Sequence, residues 1–226
     1  SGHAIDMELS QSQLEIENAT QELLEINNIQ DGYVRPIAWR GTEQMNVSGH
    51  MNTVHLAIAC WDWPKYFFPK GGENTGVALK TSTWLRMDPR TYPVNAKTSG
   101  IYTVGTMAKH QAERSGYDDA LMLDYRGQVA EASGANIFVI KDGKIRTPIA
   151  DCFLNGITRQ TIIELAHSNG ISIEEVVIMP DELLDADEIF LTGTAAEVAP
   201  VGKIDDTEYK VGPITEMLKQ NYSDLV

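Results

Sequence analysis

Asp142 and Gly143 impose a sharp reversal on the chain. They separate the runs IFVI and KIRT, and an Asp-Gly pair between two such runs is typical of a two-residue type I′ hairpin turn. Gly127 predicts a similar turn between ALMLDYR and QVAEAS. Other strand-like and helical patterns alternate around these turns, with strands expected near 76–83, 120–124, 137–141 and 189–192 and helices near 158–168 and 213–222. This part of the chain is therefore predicted to be a mixed α+β domain with several antiparallel pairs.

The beginning of the chain predicts a smaller unit. Residues 10–27 have the apolar spacing of a helix with a serine N-cap, and residues 32–41 and 51–61 are rich in β-branched and aromatic side chains. Proline and glycine then mark a connection. We expect a small α/β domain over 1–66, an interdomain loop over 67–75 and a large domain over 76–226. The sequence begins without methionine, which suggests either a tag remnant or a start within a longer polypeptide.

Composition limits the classes of ligand. The 226 residues carry 18 basic and 32 acidic side chains, a formal net charge of -14, which argues against nucleic acid and anionic membranes as partners. An anionic ligand must therefore be held by locally placed cations and backbone N–H groups. Cys60 and Cys152 lie far apart without metal-ligand spacing, which favours a reduced cytoplasmic protein without a metal site, with a single disulfide as the alternative.

Lys97 stands at an unusual place for a lysine. Residues 93–96 read as a short extended run, and an amphipathic helix follows, so Lys97 is expected at a strand-to-helix junction. Small neighbours and an aromatic five positions later predict a partly buried amine with a depressed pKa, able to bind a carbonyl carbon covalently. The alternative is an ordinary solvated lysine, since most lysines lie on the surface.

Three further segments complete a ligand pocket. Glu131 lies among small residues after a strand, which suits either an exposed turn or a carboxylate paired with a buried cation. Residues 153–166 and 189–201 each lead through glycine to free N–H groups and a threonine hydroxyl, a common arrangement around anions. A lysine, an acid and two anion cradles together predict a site for pyridoxal 5′-phosphate (PLP), with its aldehyde, basic ring nitrogen and phosphate.

The order of several blocks makes a family resemblance specific. AKTSGIY, GYDDALMLD, GQVAEASGANIF, FLNGITR and FLTGTAAEVAPV follow one another as in fold-type IV PLP enzymes. The chain most resembles the branched-chain amino acid aminotransferases, and is similar to D-amino acid aminotransferase, (R)-amine transaminases and aminodeoxychorismate lyase. The resemblance implies an α+β, D-amino acid aminotransferase-like fold with a small α/β domain and a larger mixed α/β pseudo-barrel domain. Because the family's first strands and a phosphate-binding arginine are not found here, the small domain is expected to be incomplete.

The resemblance also implies roles for the residues of the cofactor site. Lys97 would bind the cofactor covalently and carry the proton during transamination, while Glu131 would pair with the pyridinium nitrogen. Tyr102 would hydrogen-bond the ring hydroxyl. The phosphate would be held by Ile157, Thr158 and Thr194.

GYVRP and WDWPKY resemble the branched-chain branch of the family. Tyr33, with the backbone of Thr194 and Ala195, would take the substrate α-carboxylate. Arg35 would receive the side-chain carboxylate of glutamate. An apolar side chain would pack against Trp63 and Tyr66.

The expected function is transamination between branched-chain L-amino acids and 2-oxoglutarate, as part of branched-chain amino acid biosynthesis. The resemblance further implies a homodimer or an assembly of dimers with small-molecule substrates, and the cysteine usage favours the cytoplasm. The alternatives are a D-amino acid or (R)-amine transaminase, less readily a lyase acting on aminodeoxychorismate, and a truncated chain without catalytic activity.

Overall fold

The computed structural model describes residues 1–63 and 75–226, and the chain divides into two compact units, Ser1–Pro64 and Lys65–Val226. Most of the expected interdomain loop lies outside the described residues. Within the described ranges, no helix combines the length and the apolar character needed to cross a membrane.

The first unit is a helix with a two-stranded sheet. A 3-10 helix, Gly2–Ile5, precedes α1, Gln13–Ile26, which is followed by β1, Tyr33–Arg40, and β2, Val54–Trp61. Ser12 and Glu15 form a capping box at the start of α1, so the predicted serine N-cap is confirmed. β1 and β2 pair antiparallel with Tyr33 opposite Trp61, so both side chains lie on one face of the sheet.

The described part of the second unit contains three α-helices and nine strands. The helices are α2, Ser99–Arg114; α3, Ile157–Ser168; and α4, Pro213–Ser223, with a 3-10 helix at Pro180–Asp185. The strands are β3, Val77–Thr81; β4, Asp119–Leu123; β5, Val129–Ala132; β6, Asn136–Lys141; β7, Lys144–Pro148; β8, Ile173–Val176; β9, Glu188–Gly193; β10, Glu197–Ile204; and β11, Thr207–Glu208.

Strand β9 closes the sheet into a pseudo-barrel. The strand order is β11-β10-β3-β4-β5-β6-β7-β8, and β9 pairs antiparallel with both β10 and β6. Strands β10, β3, β4, β5, β6 and β9 therefore form a closed ring.

Alternation of side chains along each strand separates two apolar surfaces of the sheet. One faces the inside of the ring and includes Leu79, Leu121, Ile137, Leu191 and Val201. The other carries the helices, with α3 and α4 packed on Phe138 and Phe190 and α2 packed on Ala120 and Met122.

The predicted hairpin is confirmed. Asp142 and Gly143 both have positive φ, 49° and 73°, and connect β6 to β7 with Lys141 opposite Lys144. Such angles are what a type I′ turn requires, and aspartate and glycine adopt them at low cost. The turn at Gly127 likewise joins the antiparallel pair β4 and β5.

Gly105 allows α2 to approach a neighbouring loop closely. A Cβ at this position would lie 2.6 Å from the backbone oxygen of Ser133. Replacing a helical glycine by alanine ordinarily stabilises a protein by about 1 kcal/mol. Because a backbone atom cannot move aside cheaply, we expect Gly105→Ala instead to destabilise the protein by about 1–3 kcal/mol. Thermal unfolding measures the change, and Thr106→Ala on the exposed side of α2 is the control. A rise in melting temperature for Gly105→Ala would contradict the close packing.

Candidate active site

A row of paired residues crosses the helix-bearing face of the pseudo-barrel. Met122 pairs with Glu131, Glu131 with Asn136, Asn136 with Thr192, and Thr192 with Val198. Residues that pair across neighbouring strands project from the same face of a sheet. Three polar side chains, Glu131, Asn136 and Thr192, therefore lie side by side on the face that also carries α2 and α3, and all three are buried.

Glu131 is a buried carboxylate with specific partners. Its side chain is almost fully enclosed, and one carboxylate oxygen, Oε1, lies 2.9 Å from Nε of Arg86. Asn136 donates its side-chain N–H to the other oxygen, Oε2, at 3.0 Å. Burial raises the pKa of Glu131 to about 7, and the charges of Arg86, Lys97 and Arg159 oppose this rise. Of the two interpretations of the sequence, the buried, cation-paired carboxylate is thus the one that the structure adopts.

The raised pKa of Glu131 predicts how stability depends on pH. Its ordinary pKa is 4.5, so between pH 4.5 and about 7 the folded protein binds more protons than the unfolded chain. The free energy of unfolding should therefore fall as pH rises through this range, by about 3 kcal/mol from this group, and level off above it. Thermal unfolding of cofactor-free protein and of Glu131→Gln, followed against pH, measures the effect. Equal pH dependence in the two proteins would contradict it.

Lys97 precedes α2 by two residues, at the helix junction that the sequence predicted. The preceding run was wrongly predicted as extended. Residues 93–96 turn, with the N–H of Ala96 donating to Pro93 and that of Thr98 donating to Ala96. The prediction of partial burial is also wrong, because the Lys97 side chain is exposed. Its Nζ lies 6.0 Å from the ring centroid of Tyr102, within the range of a cation–π contact.

The start of α3 is the first of the two segments that the sequence predicted as anion cradles. Gly156 is the N-cap, and no described side chain caps the helix. Ile157 is exposed and Thr158 is buried. Uncapped N–H groups in the first turn attract negative charge. Beside this region on the sheet, the buried hydroxyl of Thr192 has no hydrogen-bond partner among the described residues, which is a costly arrangement unless a ligand supplies one.

Asn136 joins the cradle to Glu131. The side-chain nitrogen of Asn136 donates both to Glu131 and to the backbone oxygen of Leu154, each at 3.0 Å. The side-chain oxygen accepts from the N–H of Gly156 at 3.3 Å. One side chain therefore fixes the position of the carboxylate relative to the first turn of α3.

The second predicted cradle is the turn between β9 and β10. Thr194 and Ala195 lie in this turn, with the Thr194 side chain exposed and Ala195 half-buried. Thr192, the residue that leads into it, was not singled out from the sequence, although it lies in the quoted run FLTGTAAEVAPV.

In the first unit, Tyr33, Trp61 and Trp63 form an aromatic cluster with ring centroids 4.6–5.2 Å apart. Arg35 lies on the same face of the sheet, with its guanidinium carbon 5.4 Å from the Tyr33 ring and 6.0 Å from the Trp61 ring. The small Ala59 opposite Arg35 leaves room for this arrangement. Trp61 was not singled out from the sequence. The antiparallel register of β1 and β2 places it opposite Tyr33, and this register is seen only in the structure. Tyr66 lies outside the described residues.

Two buried arginines were also missed. Arg86 pairs with Glu131. Arg159, at the start of α3, donates to Asn155, to the oxygen of Pro148 and to Glu175. The sequence offers a weak signal for Arg159, which closes the block FLNGITR, and none for Arg86.

Comparison with known proteins gives one consistent result. Residues 1–204 match the amino-transferase class IV family. The branched-chain-amino-acid aminotransferase of Pseudomonas aeruginosa is 40% identical over 229 residues, a match that covers 100% of this chain and 74% of the relative.

Solved structures agree with the sequence relatives. The branched-chain aminotransferase of Thermoproteus uzoniensis with norvaline has a TM-score of 0.94 and 34% identity, covering 99% of this chain and 74% of that one. The T.th. branched-chain amino acid aminotransferase complexed with N-(5′-phosphopyridoxyl)-L-glutamate has a TM-score of 0.92 and 35% identity, with coverage of 99% and 74%. The predicted fold-type IV class is confirmed, and the chain belongs to the class IV aminotransferase family, with the branched-chain-amino-acid aminotransferases as its relatives.

Proposed function

We propose that this protein transfers the amino group of leucine, isoleucine or valine to 2-oxoglutarate, and the reverse, with pyridoxal 5′-phosphate as cofactor. The observation that carries the proposal is the buried carboxylate of Glu131, fixed by Asn136 to an uncapped helix N-terminus. The identity to branched-chain aminotransferases supports the substrate class, and the phosphopyridoxyl-glutamate complex of a structural neighbour supports both the cofactor and the amino donor.

The residues present fit the cofactor. The unpartnered hydroxyl of Thr192 and the free first turn of α3 suit a phosphate, with Ile157, Thr158 and Thr194 as its ligands. Glu131 suits a protonated ring nitrogen, and Tyr102 suits the ring hydroxyl. When bound, the cofactor supplies an aldehyde and an electron-withdrawing ring that stabilises negative charge at the substrate Cα.

Lys97 is proposed as the catalytic residue. Lys97 is exposed and its Nζ lies 6.0 Å from the centroid of the Tyr102 ring, a position that suits a reaction with an aldehyde. After the substrate amine replaced it, the Lys97 amine would take the proton from the substrate Cα as a general base and would deliver it, as a general acid, to the carbon of the cofactor's former aldehyde group. Glu131, in its ionised form, would stabilise positive charge at the ring nitrogen.

Residues of the first unit are proposed to select the substrate. Tyr33, with the backbone of Thr194 and Ala195, is proposed to bind the α-carboxylate, and Trp63 and Tyr66 are proposed to contact an apolar side chain. Arg35 is proposed to bind the second carboxylate of glutamate. It has aromatic rings beside it and no ion pair with a described acidic residue, so its charge remains available to a ligand.

The test is the absorption spectrum of purified protein incubated with pyridoxal 5′-phosphate and then with an amino acid. A visible band that is bleached by L-leucine but not by D-alanine supports the proposal. Bleaching by D-alanine alone would move the assignment to a D-amino acid transaminase. A folded protein without a visible band would overturn it.

Arg35→Leu should change substrate preference. Loss of one charge-assisted contact costs about 1.5–3 kcal/mol. We therefore expect kcat/KM for glutamate to fall by about 10- to 100-fold relative to that for leucine. Steady-state kinetics with both donors measure the ratio, and Arg114→Leu on the exposed end of α2 is the control. An unchanged ratio would remove Arg35 from the substrate site.

We also propose that the protein acts in branched-chain amino acid biosynthesis, in the cytoplasm, as a homodimer or an assembly of dimers. The family resemblance supports the assembly, and the two widely separated cysteines of the sequence favour a reducing compartment. Light scattering of the purified protein tests the assembly, and a monomeric mass with full activity would contradict it.

A further inference from the structure

Arg86 is a buried cation with each nitrogen of its guanidinium group in contact with an oxygen. It follows β3, pairs with Asp124 through an isolated parallel bridge, and is 4% exposed. Its Nε makes an ion-pair contact with Oε1 of Glu131 at 2.9 Å, without the alignment of a hydrogen bond. One terminal nitrogen donates to the backbone oxygens of Ala132 at 3.2 Å and Ser133 at 2.8 Å. The other donates to the oxygen of Ile101 at 3.4 Å.

These contacts connect two parts of the candidate active site. Glu131, Ala132 and Ser133 form the end of β5 and the loop after it, whereas Ile101 lies in the first turn of α2, directly before Tyr102. Gly105, one turn further along α2, allows the helix to meet Ser133 closely. Arg86 therefore holds the carboxylate and the start of the helix in one arrangement.

Other charged groups that act on Glu131 are less suited to keep it ionised. Lys97 is exposed and is proposed to lose its charge when it binds an aldehyde. Arg159 already donates to Asn155, Pro148 and Glu175. Asp119, also buried, opposes ionisation of Glu131. Among the described residues, Arg86 is thus the cation that makes an ion-pair contact with the carboxylate.

We infer that Arg86 is a positioning residue that keeps Glu131 ionised and locks it to the first turn of α2, so that the carboxylate can hold a proton on the cofactor ring nitrogen. The part that concerns the cofactor rests on the proposed function. The part that concerns the charge of Glu131 is a property of the protein alone.

The first experiment therefore uses cofactor-free protein. Thermal unfolding is followed against pH for the wild type, Arg86→Met, Arg86→Lys and the double variant Arg86→Met/Glu131→Gln. Without the cation, Glu131 takes up a proton more readily. In Arg86→Met the melting temperature should therefore keep falling with rising pH up to a pH about one unit or more higher than in the wild type.

The double variant lacks the ionisable group and should lose this pH dependence. Arg86→Lys keeps the charge but not the planar fork, so it should retain the wild-type pH profile with a lower melting temperature. Arg146→Met, which breaks an ion pair between β7 and Glu182, is the control. The N–H of Met179 and the Arg146 side chain lower the pKa of Glu182 below its ordinary value of 4.5, so this variant should change the profile at acidic pH and leave the fall near neutral pH unchanged. A wild-type profile in Arg86→Met would overturn the inference.

The second experiment uses the cofactor-loaded protein. In Arg86→Met the pH at which the visible band changes should shift, and kcat with leucine should fall by about 100-fold or more. Adding Glu131→Gln should cause little further loss, because both substitutions remove the same charge effect. Fully additive losses would overturn the inference. Absence of a band in the wild type would instead refute the proposed function, and the cofactor-free profiles would still decide the role of Arg86.

Discussion

Lys97→Ala is expected to abolish transamination between leucine and 2-oxoglutarate. Alanine offers neither an amine to bind an aldehyde nor a group to carry the proton from the substrate Cα. Loss of the general acid–base function alone lowers rates by about 10²- to 10⁴-fold. Loss of the aldehyde-binding amine adds to this, so we expect kcat to fall by about 10⁴-fold or more. The visible band of the protein with pyridoxal 5′-phosphate should also disappear. A coupled assay for glutamate formation and the absorption spectrum measure the two effects.

The exposure of Lys97 makes this variant easy to interpret. Because the side chain is exposed, its truncation should leave the melting temperature nearly unchanged. Lys144→Ala, at an exposed position of the β6–β7 hairpin, is the control and should retain activity. Turnover close to the wild-type rate in Lys97→Ala would show that the catalytic amine lies elsewhere.

Glu131→Gln is expected to have the second largest effect on catalysis. Glutamine has the same shape but carries no negative charge, so it cannot stabilise a protonated ring nitrogen. Removal of one such preorganised electrostatic contact typically lowers kcat by about 10²- to 10³-fold, and we expect a loss of this size with leucine. Single-turnover kinetics, which separate the chemical steps from product release, provide the measurement.

Glu188→Gln is the matched control for this substitution. Glu188 is also buried in the same sheet, but its carboxylate accepts the N–H groups of Ile214 and Thr215 at the start of α4. Its replacement should lower stability and leave the chemical steps unaffected. If the two variants lost the same amount of activity, the effect of Glu131→Gln would reflect general disruption of the sheet.

Local signals account for the parts of the structure that the sequence predicted well. The Asp142–Gly143 turn depends on the φ preferences of two adjacent residues, and α1 depends on a capping box within four residues. The family resemblance, which the comparisons confirm, depends on short blocks in a fixed order. The extended run before Lys97 was wrong because turns with backbone hydrogen bonds override the weak preference of four residues.

The sequence by itself determined many of the helices and strands, the family and the identity of the candidate lysine, acid and helix start, because each depends on neighbouring residues. Only the tertiary structure decided that Arg86 pairs with Glu131, that Asn136 connects Glu131 to α3, and that β9 closes the ring. These contacts join segments far apart in the chain. Burial then sets the protonation of Glu131, because a carboxylate removed from water depends on the few groups that surround it.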